Sequence, residues 1–241
     1  MISIIITGYD RYYLLAASLM SLAACGFKDA EFIMIDDGSE DPKIERIWDQ
    51  FASAEAKRGN KAIWFSDEHR GLPGLSAQFR KGLELATGDF VFLVPDDAIY
   101  NRYLPEFLIE AGKRLNDQFH ALLIMEDDRG PLFGRKADRI DVDGFHTVGY
   151  ADGFGILMRT GSARKLDWTV DQGEAIKTGR SLIWRHISKQ LGTVLNSDES
   201  VCEHAGNFYN ATLRKEKADV KKIYAVNLNM FKKPKIVREA P

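Results

Sequence analysis

An α/β fold, with a mostly parallel central sheet flanked by helices, is predicted by three observations. Short apolar runs alternate with amphipathic segments through the first half of the chain. Acidic turns follow the ends of several of those runs. The length, 241 residues, suits one domain with one substantial core.

The elements follow in order. Ile2 to Thr7 is a β-branched run and reads as the first strand; from Tyr13 to Ala24 apolar residues recur at helical spacing, with a stop at Gly26. Glu31 to Ile35 is a second strand, closed by Asp36-Asp37-Gly38-Ser39, and Pro42 opens a helix running to about Lys57. Ala62 to Phe65 is a third strand, Leu75 to Ala86 a helix, and Phe90 to Val94 a strand that stops at Pro95-Asp96-Asp97. A helix from Leu104 to Leu115 precedes a strand from Ala121 to Met125, which runs into the acidic turn Glu126-Asp127-Asp128. Beyond it, glycines at 130, 134, 144, 149, 153, 155 and 161 predict hairpins and loops, and Ser181 to Leu191 predicts a helix. The stretch from Arg214 to Arg238 holds nine Lys or Arg against Glu216 and Asp219, a locally basic tail.

Composition narrows the function classes. A formal net charge of −2 gives the whole chain no electrostatic commitment to nucleic acid or to an anionic membrane, so any such commitment is local. Met1 to Ile6 has no basic segment before it and is interrupted at Gly8-Tyr9-Asp10-Arg11, which argues against an export signal. No stretch reaches the roughly 20 apolar residues of a spanning helix. The expectation is a soluble, cytoplasmic protein in which Cys25 and Cys202 are buried free thiols.

In open parallel sheets, ligands bind beyond the carboxyl ends of the strands, where these acidic turns fall. Asp96 and Asp97 are adjacent carboxylates that repel unless they are solvated or hold a cation. Mg²⁺ or Mn²⁺ takes one or two carboxylates and completes its shell with water and substrate phosphates, so a metal-diphosphate complex suits the pair. The alternative is a solvated loop that caps the next helix. Asp36-Asp37-Gly38-Ser39, taken alone, reads equally well as a turn.

Order and spacing add a further layer. Ser3-Ile4-Ile5-Ile6-Thr7-Gly8-Tyr9-Asp10-Arg11, then Ile33 to Asp41 with its Asp-Asp-Gly-Ser turn, then Gly74-Leu75-Ser76-Ala77 to Gly82 and Ala86 to Asp97, together resemble the nucleotide-sugar-binding half of glycosyltransferase family 2. The resemblance implies a GT-A fold in a single domain, with residues 1–100 binding the nucleotide sugar, 101–213 facing the acceptor, and 214–241 as the basic tail. It also implies that Thr7, Tyr9, Asp10 and Arg11 border the nucleoside, that Asp37 reads the base beside Asp36, that Asp97 is the main metal ligand, and that Asp96 faces the donor. Val201-Cys202-Glu203-His204 resembles a late His segment near the metal or diphosphate, making His204 a second metal candidate.

The chain also departs from the family pattern. Gln78-Phe79-Arg80 stands where Ala-Arg-Asn is common, and Val94 stands where an Asp is common. Arg80, Arg70 and His69 are candidate replacements for phosphate contacts, or ordinary surface residues. The family's Glu-Asp catalytic pair would fall near Thr178-Gly179, where no acid exists, so Asp171 and Glu174 become the candidates for the base. Gly153-Phe154-Gly155 is either a sugar-pocket wall or a hairpin.

The expected function is therefore metal-dependent transfer of a sugar from a nucleoside diphosphate donor, UDP-linked, to a hydroxyl acceptor, with inversion. Acceptor candidates are a glycan, a lipid-linked glycan or a modified nucleic acid. A nucleotidyltransferase on the same fold would need a Gly-rich, Lys-containing loop after the first strand, and none is present. A non-catalytic sugar-nucleotide-binding module is the other alternative.

Overall fold

The computed structural model describes residues 1–71, 74–123, 140–148, 155–169, 181–198 and 201–204. Alternation within each apolar run creates the layers. In β1 (Ile2–Gly8), β2 (Ala30–Asp36) and β4 (Phe90–Pro95), nearly every residue is buried, because both faces of the sheet are covered. Ile4, Ile6, Phe32, Met34 and Phe92 meet one core with Leu15, Leu19 and Trp48, whereas Ile5, Ile33, Ile35, Val91 and Leu93 meet the other with Phe79 and Ile187. β3 (Lys61–Ser66) is less buried and closes one edge of the sheet.

Three helices cross between these strands. α1 (Tyr12–Cys25) ends on Gly26 in the left-handed conformation, as its sequence predicts. α2 (Lys43–Lys57) follows Pro42, and the Lys43 amide donates to Asp41 Oδ1 at 3.0 Å. α3 (Leu75–Leu85) lays Phe79 and Leu83 on the second core.

The second half of the chain adds β5 (Ala98–Tyr100), α4 (Leu104–Gly112), β6 (Ala121–Leu123), β7 (Asp141–Val142), β8 (Phe145–Val148), β9 (Ile156–Arg159), α5 (Thr160–Ala163), α6 (Ser181–Leu191), β10 (Val194–Ser197) and β11 (Cys202–His204). Among the described residues, nine strands form one sheet in the order β3-β2-β1-β4-β9-β6-β10-β8-β7, and β5 pairs with β11 in a separate ladder. β9 runs antiparallel to both β4 and β6. The β7–β8 hairpin turns at Asp143 and Gly144, whose φ angles of 42° and 83° suit a tight hairpin turn.

The expectations are adjusted in places. The helix begun at Leu104 ends at Gly112 rather than Leu115, because the chain tightens into i to i+3 bonds from Arg114 N to Ala111 O and from Leu115 N to Gly112 O. The strand expected to reach Met125 is described only as Ala121–Leu123. The acidic turn at Glu126-Asp127-Asp128 and the basic tail lie outside the described residues.

β1, β2 and β4 are parallel, so they end on one edge of the sheet, with Gly8 opposite Asp36 and Thr7 opposite Pro95. Both acidic turns stand on that edge. On the opposite edge, buried Glu31 is occupied by Ser3 Oγ at 2.6 Å and the Thr87 amide at 2.7 Å, which makes it a structural group.

Candidate active site

The acidic pair lies at the end of β4. Asp96 N donates to Thr7 O at 3.2 Å, which lays the residue across the end of β1. Position 8 must be glycine for this, since a Cβ there would stand 2.6 Å from Asp96 Oδ2. Asp96 and Asp97 are each 1% exposed, so they are not a solvated loop. Two buried carboxylates side by side need positive charge, and Arg11 supplies it. Its Nε donates to Asp96 Oδ2 at 3.1 Å, a second nitrogen to Asp96 Oδ1, and Nη1 to Asp97 Oδ2 at 2.6 Å. Burial alone would lower the pKa of Arg11; the fields of Asp96 and Asp97 outweigh that and raise it.

The Asp-Asp-Gly-Ser turn divides its two acids. Asp36 points inward, accepting from the Ser39 amide at 2.9 Å, from Ser39 Oγ, and from Ser66 Oγ at 2.8 Å. Asp37 instead holds the loop after β3: its carboxylate accepts from Arg70 N at 3.1 Å and Gly71 N at 2.8 Å. His69 Nδ1 lies 2.8 Å from Asp37 Oδ2 and 3.1 Å from its carbonyl oxygen. Gly38, at φ 74°, passes so close to that loop that a Cβ would stand 2.7 Å from both Asp67 O and His69 N.

The Tyr9 ring stacks on His69 with centroids 3.8 Å apart. Asp10 Oδ1 accepts from the Glu40 and Asp41 amides, pinning the loop after β1 to the loop after β2. Arg80, on α3, is exposed and 4.0 Å from Glu84. It shares a cleft of about 250 Å³ with Asp36, Asp37 and Arg70.

Sequence-predicted Thr7, Tyr9, Asp10, Arg11, Asp36, Asp37, Asp96 and Asp97 are thus gathered on one edge of the sheet. Asp36 and Asp37 each engage both carboxylate oxygens, and Asp10 its Oδ1, in holding the loops there. β11 places the His204 backbone opposite Ala98, the residue after Asp97. Asp171, Glu174 and Gly153-Phe154 lie outside the described residues. Sequence reading assigned Arg11 to the nucleoside and did not see its bond to the acid pair, since the partners are 85 residues apart. The adjacency of two acids was the available signal that a cation must be near.

The two buried carboxylates already hold a cationic group, and their oxygens are hard donors, so the site fits a divalent metal. Among the described residues no set of three or more His, Cys, Asp or Glu forms a ready-made metal cluster. A cation here would complete its shell from outside those residues.

A parallel nucleotide-type sheet crossed by an antiparallel strand, with an acid pair at its carboxyl edge, defines a GT-A glycosyltransferase fold. The chain belongs to glycosyl transferase family 2, whose model matches residues 3–167. It is 29% identical over 99 residues to the glucosyl-dolichyl phosphate glucuronosyltransferase of Haloferax volcanii, covering 40% of this chain and 29% of that protein. The chain therefore matches under a third of that relative's length. It superposes on S. aureus TarS residues 1–349 with TM-score 0.57 and 19% identity, covering 95% of this chain and 70% of that one. TarS was also solved with UDP-GlcNAc. The Pyrobaculum calidifontis mannosyltransferase PcManGT, solved with GDP-Man and Mn²⁺, superposes with TM-score 0.56 and 14% identity over 94% of this chain and 68% of its own.

Proposed function

We propose that residues 1–241 form one GT-A domain that transfers a sugar from a nucleoside diphosphate donor, UDP-linked, to a hydroxyl acceptor with inversion. The observation that carries this reading is the buried Asp96-Asp97 pair, held by a cationic side chain on the sheet edge where Asp37 and Tyr9 also stand. Support comes from family membership and from similarity to proteins solved with UDP-GlcNAc and with GDP-Man and Mn²⁺.

In this reading Tyr9 and Asp37 receive the nucleoside, with Thr7, Asp10 and Asp36 shaping the loops that present them. Arg11 and Arg80 face the donor's negative charge. Asp97, with His204 at the neighbouring register position, would hold Mn²⁺ or Mg²⁺. A bound divalent ion would stabilise charge growing on the leaving diphosphate as a Lewis acid. A carboxylate on the acceptor side removes the hydroxyl proton as its oxygen attacks the anomeric carbon; Asp171 is the first candidate and Glu174 the second. The acceptor is a glycan, a lipid-linked glycan or a modified nucleic acid, reached in the cytoplasm or at an anionic surface through the basic tail.

Asp97→Asn tests the assignment, because it removes a charge at nearly constant size while Arg11 keeps its bonds to Asp96. The fold is expected to survive. Thermal-shift titration with UDP-sugars should show a Mn²⁺-dependent rise in midpoint for the wild type that the variant lacks. Wild-type sugar transfer by Asp97→Asn at equal Mn²⁺ would remove Asp97 from the metal site.

A further inference from the structure

Arg11 stands with its backbone fixed at the start of α1 and its side chain partly exposed. Its carbonyl accepts the first bond of α1 from Leu15 N at 2.9 Å, while its own side chain makes no cap bond to the helix. The side chain is 32% exposed, against 1% and 2% for the carboxylates of Asp96 and Asp97. The guanidinium engages both oxygens of Asp96 and one of Asp97. In these contacts one guanidinium faces two carboxylates, and the group able to leave is the exposed one.

We infer that Arg11 is a resident counter-ion of the acid pair, displaced when a divalent cation and a nucleoside diphosphate bind together. The inference rests on the proposed donor site and adds how that site is kept closed to metal alone. A divalent ion and a guanidinium repel at contact distance in a buried, low-dielectric site, so they compete for the same carboxylates. A metal arriving alone must expel Arg11 into solvent. A metal arriving with a diphosphate offers Arg11 a new anionic partner, to which a planar guanidinium is well matched. Metal and diphosphate therefore bind with positive coupling, each tightening the other by the same factor.

This makes a prediction of opposite sign for the two ligands, which a merely structural arginine would not produce. In Arg11→Gln without nucleotide, Mn²⁺ should bind about tenfold tighter or better than in the wild type, read by electron paramagnetic resonance or calorimetry. The same variant should bind UDP and GDP more weakly at saturating Mn²⁺. Removing the counter-ion also takes one positive charge from two buried acids, so Arg11→Gln should melt lower in chelator and recover more than the wild type on adding Mn²⁺. Equal Mn²⁺ affinity in the two proteins would overturn the inference. If Arg11→Gln does not fold, Arg11→Lys and the wild type carry the test: UDP or GDP should tighten wild-type Mn²⁺ binding about tenfold, and the absence of that coupling overturns it equally. A wild type that binds UDP or GDP with Mn²⁺ but shows neither effect defeats this inference alone. A wild type that binds neither nucleotide at any Mn²⁺ concentration defeats the donor site itself.

Discussion

The end of β1 has room for no side chain at position 8, and that single constraint sets where the acid pair stands. A methyl there would press into Asp96, whose Cβ and Cγ lie within 3 Å of the position a Cβ would take. Gly8→Ala is therefore expected to push Asp96 off Arg11, costing about 1–3 kcal/mol by urea denaturation and weakening donor binding by roughly tenfold. Unchanged melting and unchanged nucleotide titration would show that the acid pair tolerates displacement. The need for glycine at this point was not legible in the sequence, because its cause lies 88 residues away. The resemblance singled out Asp37 over Asp36, but what separates their surroundings was only partly local: Ser39 holds Asp36 from within the turn, whereas Ser66 on Asp36 and the Arg70 and Gly71 amides on Asp37 are distant in sequence. Cys25 and Cys202, by contrast, were readable from spacing as residues outside any disulfide, and neither forms one; Cys202 is buried as expected, whereas Cys25 is half-buried. Burial raises the pKa of Cys25 and keeps it a thiol.

Elements whose signal is local were legible, and elements whose signal is a distant partner were not. The four strands of the nucleotide-type half and helices α1 to α3 announce themselves through period and punctuation. The three-residue strands β5 and β11 carry too little pattern to be seen, and their pairing joins segments about a hundred residues apart. That ladder matters because it brings the His204 backbone beside the acid pair. The end of α3 shows a comparable long-range device. No side-chain cap follows Leu85 in sequence; instead Arg164, just beyond α5, donates to Leu83 O at 3.1 and 3.0 Å and to Ala86 O at 2.7 Å. A cation on the last carbonyls of a helix also opposes the negative end of its dipole. Arg164→Ala should lower stability by about 1 kcal/mol, while Arg164→Lys recovers part of the loss. Donor affinity should be unaffected in both, since the contacts lie at the end of α3 away from the acid pair. A fall in donor affinity without a fall in stability would place Arg164 in the site rather than under it.

At the scale of the whole molecule, charge is unevenly divided along the chain. Of 33 basic and 35 acidic residues, the stretch from Arg214 to Arg238 takes nine basic and two acidic, leaving 24 basic against 33 acidic elsewhere. A tail this basic on a chain this acidic either meets an anionic surface or acceptor or is a solvated stretch. The two differ in what salt does to a measurable complex. If the five lysines Lys221, Lys222, Lys232, Lys233 and Lys235 each neutralise a phosphate, affinity for duplex DNA falls by roughly 500-fold between about 50 and about 200 mM salt, through counterion release. Binding to vesicles rich in anionic lipid should also weaken with salt, with about 1 kcal/mol contributed per lysine near the surface. Replacing the five with glutamine should abolish whichever binding the wild type shows and leave its midpoint shift with nucleotide and Mn²⁺ intact, because none of the residues proposed for the donor site is among them. Preference for DNA over vesicles points to a nucleic-acid acceptor, and the reverse points to a lipid-linked one. Binding to neither, even at low salt, makes the basic tail an ordinary solvated stretch and removes an anionic surface as the route to the acceptor.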